Sequence, residues 1–220
     1  LYFQIINKMN LLFICEYQVD ENQGGVQRVT SILTKYFLSK NHEVFNLFFR
    51  FNNNSKCKIN DNEYKFFDNN ILDIKNINLI NKVTNDNKID IIINQMGFNQ
   101  KILKAILKSE FRNPILSCLH SDPFFELKYA KIELFNNLNF KNTPLNNFKI
   151  IFKPFYLFVL ERRISKKLKF IYKNSSKVIL LANNFKSNIK KMYPFINGSK
   201  SIVIPNPIDP KFNRNKKRIF

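Results

Sequence analysis

Short apolar runs alternate along the chain with longer stretches in which apolar positions recur at helical spacing. Met9 to Cys15 is a short apolar run followed by a polar loop, which predicts a strand buried on both faces. After Gly24-Gly25, the residues Val26, Val29, Ile32, Leu33, Tyr36 and Phe37 fall near a 3.6 period and predict one apolar helix face, ending in the polar Ser39 to Asn41. His42-Glu43-Val44 through Phe49 predicts a second strand, so the chain opens with a βαβ unit. The rhythm continues with a strand at Tyr64 to Phe67, a helix at Asp73 to Val83, a strand at Ile89 to Ile93, a helix at Gln100 to Leu107 and a strand at Ile115 to Leu119. A long helical region from Phe124 to Asn174, interrupted at Pro144 and Pro154, precedes a strand at Lys177 to Leu181, a helix at Asn183 to Met192 and a strand at Ser201 to Ile204. Three prolines, Pro205, Pro207 and Pro210, then forbid a regular element and predict a linker.

This alternation predicts the α/β class: a Rossmann-like parallel sheet flanked by helices. The expected organisation is one domain over residues 9–204 and a linker over 205–220. Leu1-Tyr2-Phe3-Gln4 resembles the tail of a protease-cleavage tag, so residues 1–8 are set apart from the fold and Met9 is read as a native start. With 220 residues, 45% of them hydrophobic, the chain can bury a full core. Its 36 Lys and Arg against 16 Asp and Glu leave a net charge of +20, which calls for an anionic partner or surface. Frequent Asn beside Lys and Ile points to biased nucleotide composition, which inflates that charge. Cys15, Cys57 and Cys118 form no Cys-x-x-Cys pair, which argues against a disulfide scaffold or zinc ribbon and makes a reducing cytoplasm the default. No apolar run approaches the roughly 18 residues of a spanning helix.

The four glycines, Gly24, Gly25, Gly97 and Gly198, cannot compose the dinucleotide or nucleoside-triphosphate fingerprints. Gly24-Gly25 nevertheless lies between the first strand and first helix, where helix amides can hold a phosphate; a plain tight turn is the alternative. His120 follows the strand Ile115 to Leu119, at the carboxyl end where open α/β sheets bind ligands. It can hydrogen-bond a sugar hydroxyl or phosphate, and Asp122 can accept a hydrogen bond from an acceptor hydroxyl. The alternatives are a His satisfied by loop backbone and an Asp that caps the next helix. Gln95-Met96-Gly97 ends another strand, so Gly25, Gly97 and His120 are expected at one crevice. His42 precedes a strand on the opposite edge and shares no metal with His120. Glu126 and Glu133 read as solvated carboxylates, and Cys15 and Cys118 as small core residues.

Leu11 to Cys15, Gln23-Gly24-Gly25-Val26-Gln27-Arg28-Val29, His42-Glu43-Val44, His120-Ser121-Asp122-Pro123 and Val203 to Asp209, in that order, resemble the N-terminal half of retaining glycosyltransferases of family 4 (group 1), which have the GT-B fold. The resemblance implies transfer of a sugar from a nucleotide sugar to a glycan or polyprenyl-linked acceptor in surface polysaccharide biosynthesis, with no metal or other cofactor. It places Gly24 and Gly25 beside the donor diphosphate, His120 at the transferred sugar or acceptor, and a hinge near Asn206-Pro207; the strand-end reading adds Asp122 to His120 as catalytic candidates and puts Gln95 and Gly97 in the acceptor crevice. The family's second, donor-binding domain would follow Asp209, where eleven residues remain, so the resemblance implies an acceptor-side domain inactive by itself.

Phe148 to Lys173 interrupts the βαβ rhythm and joins an aromatic part, Ile150 to Phe152 and Phe155 to Leu160, to a basic part with Arg162, Arg163, Lys166, Lys167, Lys169 and Lys173. This composition suits a helix lying at an anionic bilayer, here the inner face of the cytoplasmic membrane; a helix packed on the sheet is the alternative. Two other classes compete. A nucleic-acid-binding module would use the basic charge, but the aromatics are mainly Phe in core-like runs, so no nucleic acid is expected as a partner. A flavodoxin-like or receiver domain would need an acidic pair after the first strand, and Glu16 and Asp20 are separated by Tyr17-Gln18-Val19.

Overall fold

The computed structural model describes residues 8–51, 59–67, 70–136, 144–194, 196 and 198–206, the side chains of 133–136 and 144–153 excepted. Most of residues 1–8, Cys57, the segment from Pro207 to Phe220, and the side chains of Glu133 and Ile150 to Phe152 lie outside the described residues.

Seven strands form one all-parallel sheet in the order β3-β2-β1-β4-β5-β6-β7. They are β1 (Asn10–Tyr17), β2 (Glu43–Arg50), β3 (Glu63–Lys65), β4 (Ile91–Asn94), β5 (Ile115–Leu119), β6 (Lys177–Leu180) and β7 (Ser201–Val203). The helices are α1 (Gly25–Ser39), α2 (Ile74–Asp86), α3 (Gln100–Lys108), α4 (Phe125–Asn136), α5 (Pro144–Asn174) and α6 (Asn183–Met192). The α/β class and the flanked parallel sheet expected from the sequence are therefore present.

The strands are apolar on both faces because both faces are covered. Leu12 and Ile14 of β1, Phe45 and Leu47 of β2 and Ile92 of β4 pack against Ile77, Ile80 and Val83 of α2, Leu103 and Ile106 of α3, and Ile164, Leu168 and Ile171 of α5. On the other face Phe13, Cys15, Phe48, Ile93 and Cys118 meet Leu33 and Phe37 of α1. Each fully buried aliphatic side chain contributes about 1.5–3 kcal/mol of transfer free energy. Tyr36, expected on the buried face of α1, is instead 54% exposed, with the Lys40 ammonium over its ring. Asn41 ends α1 in the left-handed region, at φ 64°, where Asn is better tolerated than most side chains.

Among the boundaries that differ from the sequence reading are the start of β4 and the course of α5. β4 begins at Ile91 because Asp90 accepts a hydrogen bond from the Asn10 amide at 2.7 Å and Ile89 N–H is bound to Thr84 O. Pro144 is the first residue of α5, where a missing N–H costs nothing, but Pro154 lies inside the same helix and does not interrupt it. The intervening turns hold: Leu160, Ile164, Leu168 and Ile171 anchor α5 to the sheet beyond the proline.

Candidate functional site

The strand order reverses between β1 and β4, which opens a crevice at their carboxyl ends. A cavity of about 340 Å³ occupies it, lined by Cys15, Glu16 and Tyr17 at the end of β1, Val26 and Gln27 of α1, Gln95 to Asn99 after β4, and Cys118, His120 and Ser121 of β5 and its turn. Of Gly25, Gly97 and His120, expected at one crevice, Gly97 and His120 line the cavity and Gly25 does not.

His120 and Gln95 form its polar centre. The Gln95 carboxamide oxygen lies 2.6 Å from His120 Nε2, and since that oxygen can only accept, His120 donates through Nε2–H. Burial pulls the His120 pKa below the ordinary value of 6.5, which keeps the ring neutral at pH 7. The side-chain nitrogens Gln95 Nε2 and Asn94 Nδ2 are buried without a hydrogen-bond partner among the described residues. Glu16, the one charged side chain lining the cavity, is half-exposed and 3.7 Å from Arg50.

Gly97 is at the cavity for a packing reason. A Cβ there would sit 2.3 Å from the Cys118 carbonyl oxygen, and its own N–H donates to that oxygen at 3.1 Å. Gly24 and Gly25 lie one step from the cavity lining, at the start of α1. Neither has a positive φ, and a Cβ on Gly25 would meet nothing within 4 Å, so the turn itself does not require glycine at that position. α2 and α3 begin on Asp73 and Asn99, whose side chains accept from the amides of Lys75 and Lys101; α1 begins on Gly24 with no side-chain cap. Arg28 N–H makes the first helical hydrogen bond, to Gly24 O, and the amides of Gly25, Val26 and Gln27 precede it.

Asp122 does not line the cavity. Its Oδ1 accepts from the Phe124 amide at 2.9 Å and its Oδ2 pairs with Lys128, so the carboxylate sets the entry to α4. That is the capping alternative, with the carboxylate engaged by the Phe124 amide and Lys128. His42 is buried at the amino end of β2, where Nδ1 accepts from the Met9 amide at 3.1 Å, at the opposite end of the sheet from His120. Burial pushes both Cys15 and Cys118 thiols up to about 12, as suits core residues. Among the described residues no group of three His, Cys, Asp or Glu could hold a metal.

Of the basic residues singled out on α5, Arg162, Arg163 and Lys166 are exposed, while Lys167 is half-buried with its ammonium 5.7 Å from the Phe98 ring, beside the cavity. Phe155, Tyr156, Phe158 and Val159 of α5 and Phe125, Tyr129 and Ile132 of α4 are exposed. No helix among the described residues is long and apolar enough to cross a membrane.

Sequence reasoning missed Glu16, Tyr17, Val26, Gln27, Phe98 and Asn99 as cavity residues. No motif marks them; their one signal is position, within a few residues of the strand ends that flank the reversal.

Comparison with known proteins agrees with this fold. The chain is similar in fold to a solved alpha-glucosyltransferase in complex with UDP-glucose and DNA containing an abasic site, at 14% identity and a TM-score of 0.52, covering 93% of this chain and 44% of that one. A second structure, an alpha-glucosyltransferase with UDP and a 13-mer DNA containing a central A:G mismatch, aligns at 12% identity and a TM-score of 0.50, over 92% of this chain and 42% of that one. The chain therefore spans less than half the length of either, and its fold is that of the N-terminal half of a GT-B glycosyltransferase. No curated protein sequence matches it. Residues 23–212 match the profile of Glycosyltransferase Family 4, and the chain belongs to that family.

Proposed function

We propose that residues 9–204 form the acceptor-side domain of a retaining, nucleotide-sugar-dependent glycosyltransferase, with the segment from Pro205 leading toward a donor-binding domain. The observation that carries this reading is the cavity at the strand-order reversal, where His120 and Gln95 face the uncapped start of α1. In this reading the amides of Gly25, Val26 and Gln27 stabilise negative charge on the leaving diphosphate, and the open space at Gly25 lets it approach the backbone. His120 meets a hydroxyl of the transferred sugar or acceptor. No metal is assigned a role; the chemistry needs stabilisation of the diphosphate as the glycosidic oxygen leaves.

The test is turnover with a panel of nucleotide sugars. The 220-residue chain alone is expected to give no multiple turnovers. In a polypeptide carrying both domains, His120→Ala is expected to lower turnover on the order of 10²-fold or more. Unchanged turnover in that variant sinks the assignment.

The acceptor proposed is a glycan or lipid-linked glycan, worked on at the inner face of the cytoplasmic membrane. The exposed rings of α4 and α5 next to Arg162, Arg163 and Lys166 support it, since aromatic side chains enter the acyl boundary and cations meet anionic headgroups. Co-sedimentation with anionic vesicles that is lost at high salt, and lost in Arg162→Glu/Arg163→Glu/Lys166→Glu, is the expected result; binding that ignores charge overturns it. The exclusion of nucleic acid drawn from the sequence has no support here, because both structural relatives were solved with DNA and the +20 charge suits either polyanion.

A further inference from the structure

The two polar side chains at the centre of the cavity are not equivalent. His120 reaches the cavity from the turn after β5, while Gln95 stands at the end of β4, 4% exposed, with its backbone N–H fixed to Ile14 O at 3.0 Å. The Gln95 backbone is therefore anchored to the sheet, and its buried carboxamide oxygen meets the imidazole. A neutral imidazole has one donor and one acceptor nitrogen, and the hydrogen bond at one nitrogen decides what the other can do. Here Nε2 is taken by Gln95 Oε1 at 2.6 Å, and Nδ1 makes no hydrogen bond among the described residues.

We propose that Gln95 is a positioning residue for His120: its carboxamide oxygen holds the ring as the Nε2–H tautomer, so that Nδ1 meets the ligand as a hydrogen-bond acceptor. The chemical consequence is selective. A bare Nδ1 accepts from a hydroxyl, as a sugar or an alcohol acceptor presents, and offers nothing to a phosphate oxygen, which itself can only accept. The assignment deepens the glycosyltransferase reading and rests on it for the identity of that hydroxyl: His120 serves the sugar side of the site and leaves the diphosphate to the backbone amides of α1. The surroundings favour the neutral ring. Burial works against a charged imidazole, Glu16 on β1 is engaged with Arg50, and Asp122 in the next turn is engaged with Lys128 and the Phe124 amide.

The experiment reads the tautomer directly, by long-range ¹H–¹⁵N spectra of the ring nitrogens in the full chain without substrate. With only two histidines, His42 is an internal control, since its Nδ1 accepts from Met9 N–H whatever happens at the cavity. In the wild type, His120 is expected to show protonated Nε2 and bare Nδ1 above its pKa. Gln95→Met keeps the length and removes the carboxamide, so the two His120 shifts are expected to move toward each other as both tautomers populate, while His42 stays put. Gln95→Glu restores an oxygen acceptor and adds a charge, so Nε2–H is expected to be retained with the His120 pKa raised. An Nδ1–H tautomer in the wild type, or His120 shifts unmoved in a folded Gln95→Met, overturns the proposal. Neither readout involves a sugar, so a correct tautomer in a two-domain protein that turns over no nucleotide sugar would count against the transferase reading alone.

Discussion

Gly97 and Cys118 are in such close contact that a methyl group on the glycine would sit 2.3 Å from the cysteine carbonyl oxygen. The obstacle is backbone of β5, not a side chain that can turn away. Gly97→Ala is therefore expected to destabilise the domain by at least about 1–3 kcal/mol, the usual cost of overpacking. Gly25→Ala, with nothing within 4 Å, is expected to leave the denaturation midpoint almost unchanged. Urea unfolding of the two variants side by side checks both.

His120 gives a pH dependence whose sign is fixed by its burial. The folded-state pKa lies below the ordinary 6.5, so under acid conditions the unfolded chain binds a proton that the folded chain refuses. Stability is fully present above that ordinary value and falls as the pH drops through it, until the folded pKa is passed. His120→Gln is expected to flatten the slope as the pH falls through the ordinary 6.5, measured as the wild-type minus variant difference in unfolding free energy.

Cys15 and Cys118 line the cavity but are not poised to react. With both thiols pushed up to about 12, the reactive thiolate is nearly absent at neutral pH. Mass spectrometry after alkylation is expected to find both unmodified in the native protein and modified once it is unfolded.

Asp122 separates a structural carboxylate from a reacting one. Its bonds to the Phe124 amide and Lys128 predict that Asp122→Ala costs about 0.5–2 kcal/mol of stability, the range for loss of a helix cap. Turnover of the two-domain enzyme is expected to change far less than in His120→Ala. A loss of rate matching that variant would return Asp122 to the reacting groups.

The sheet was legible because its signal is local. Ile115 to Leu119 is bounded by Pro114 and His120 and appears as β5 without adjustment. Pro154 was misleading, since a proline removes one hydrogen bond while Leu160, Ile164, Leu168 and Ile171 still hold α5 in the core beyond it. His120, Gln95 and Gly97 could be placed because strand ends can be counted. The roles of Asp122 and Lys167 could not, because each is settled by a partner elsewhere: Lys128 on α4 for the first, Phe98 after β4 for the second.

The position of β1 in the sheet also governs how the molecule is made. Leu11 pairs with Val44 on one side and with Ile91 on the other, so the first strand to leave the ribosome waits for one that is eighty residues behind it. Until then the run Leu11 to Cys15 has only β2 to pair with, one open row of backbone groups, and a half-built apolar surface. Parallel pairings across such separations close slowly, and the waiting strand is an invitation to another nascent chain. The residues that build the crevice are thus also on the strands whose later arrival, β4 and then β5, ends the interval in which β1 waits with an open edge.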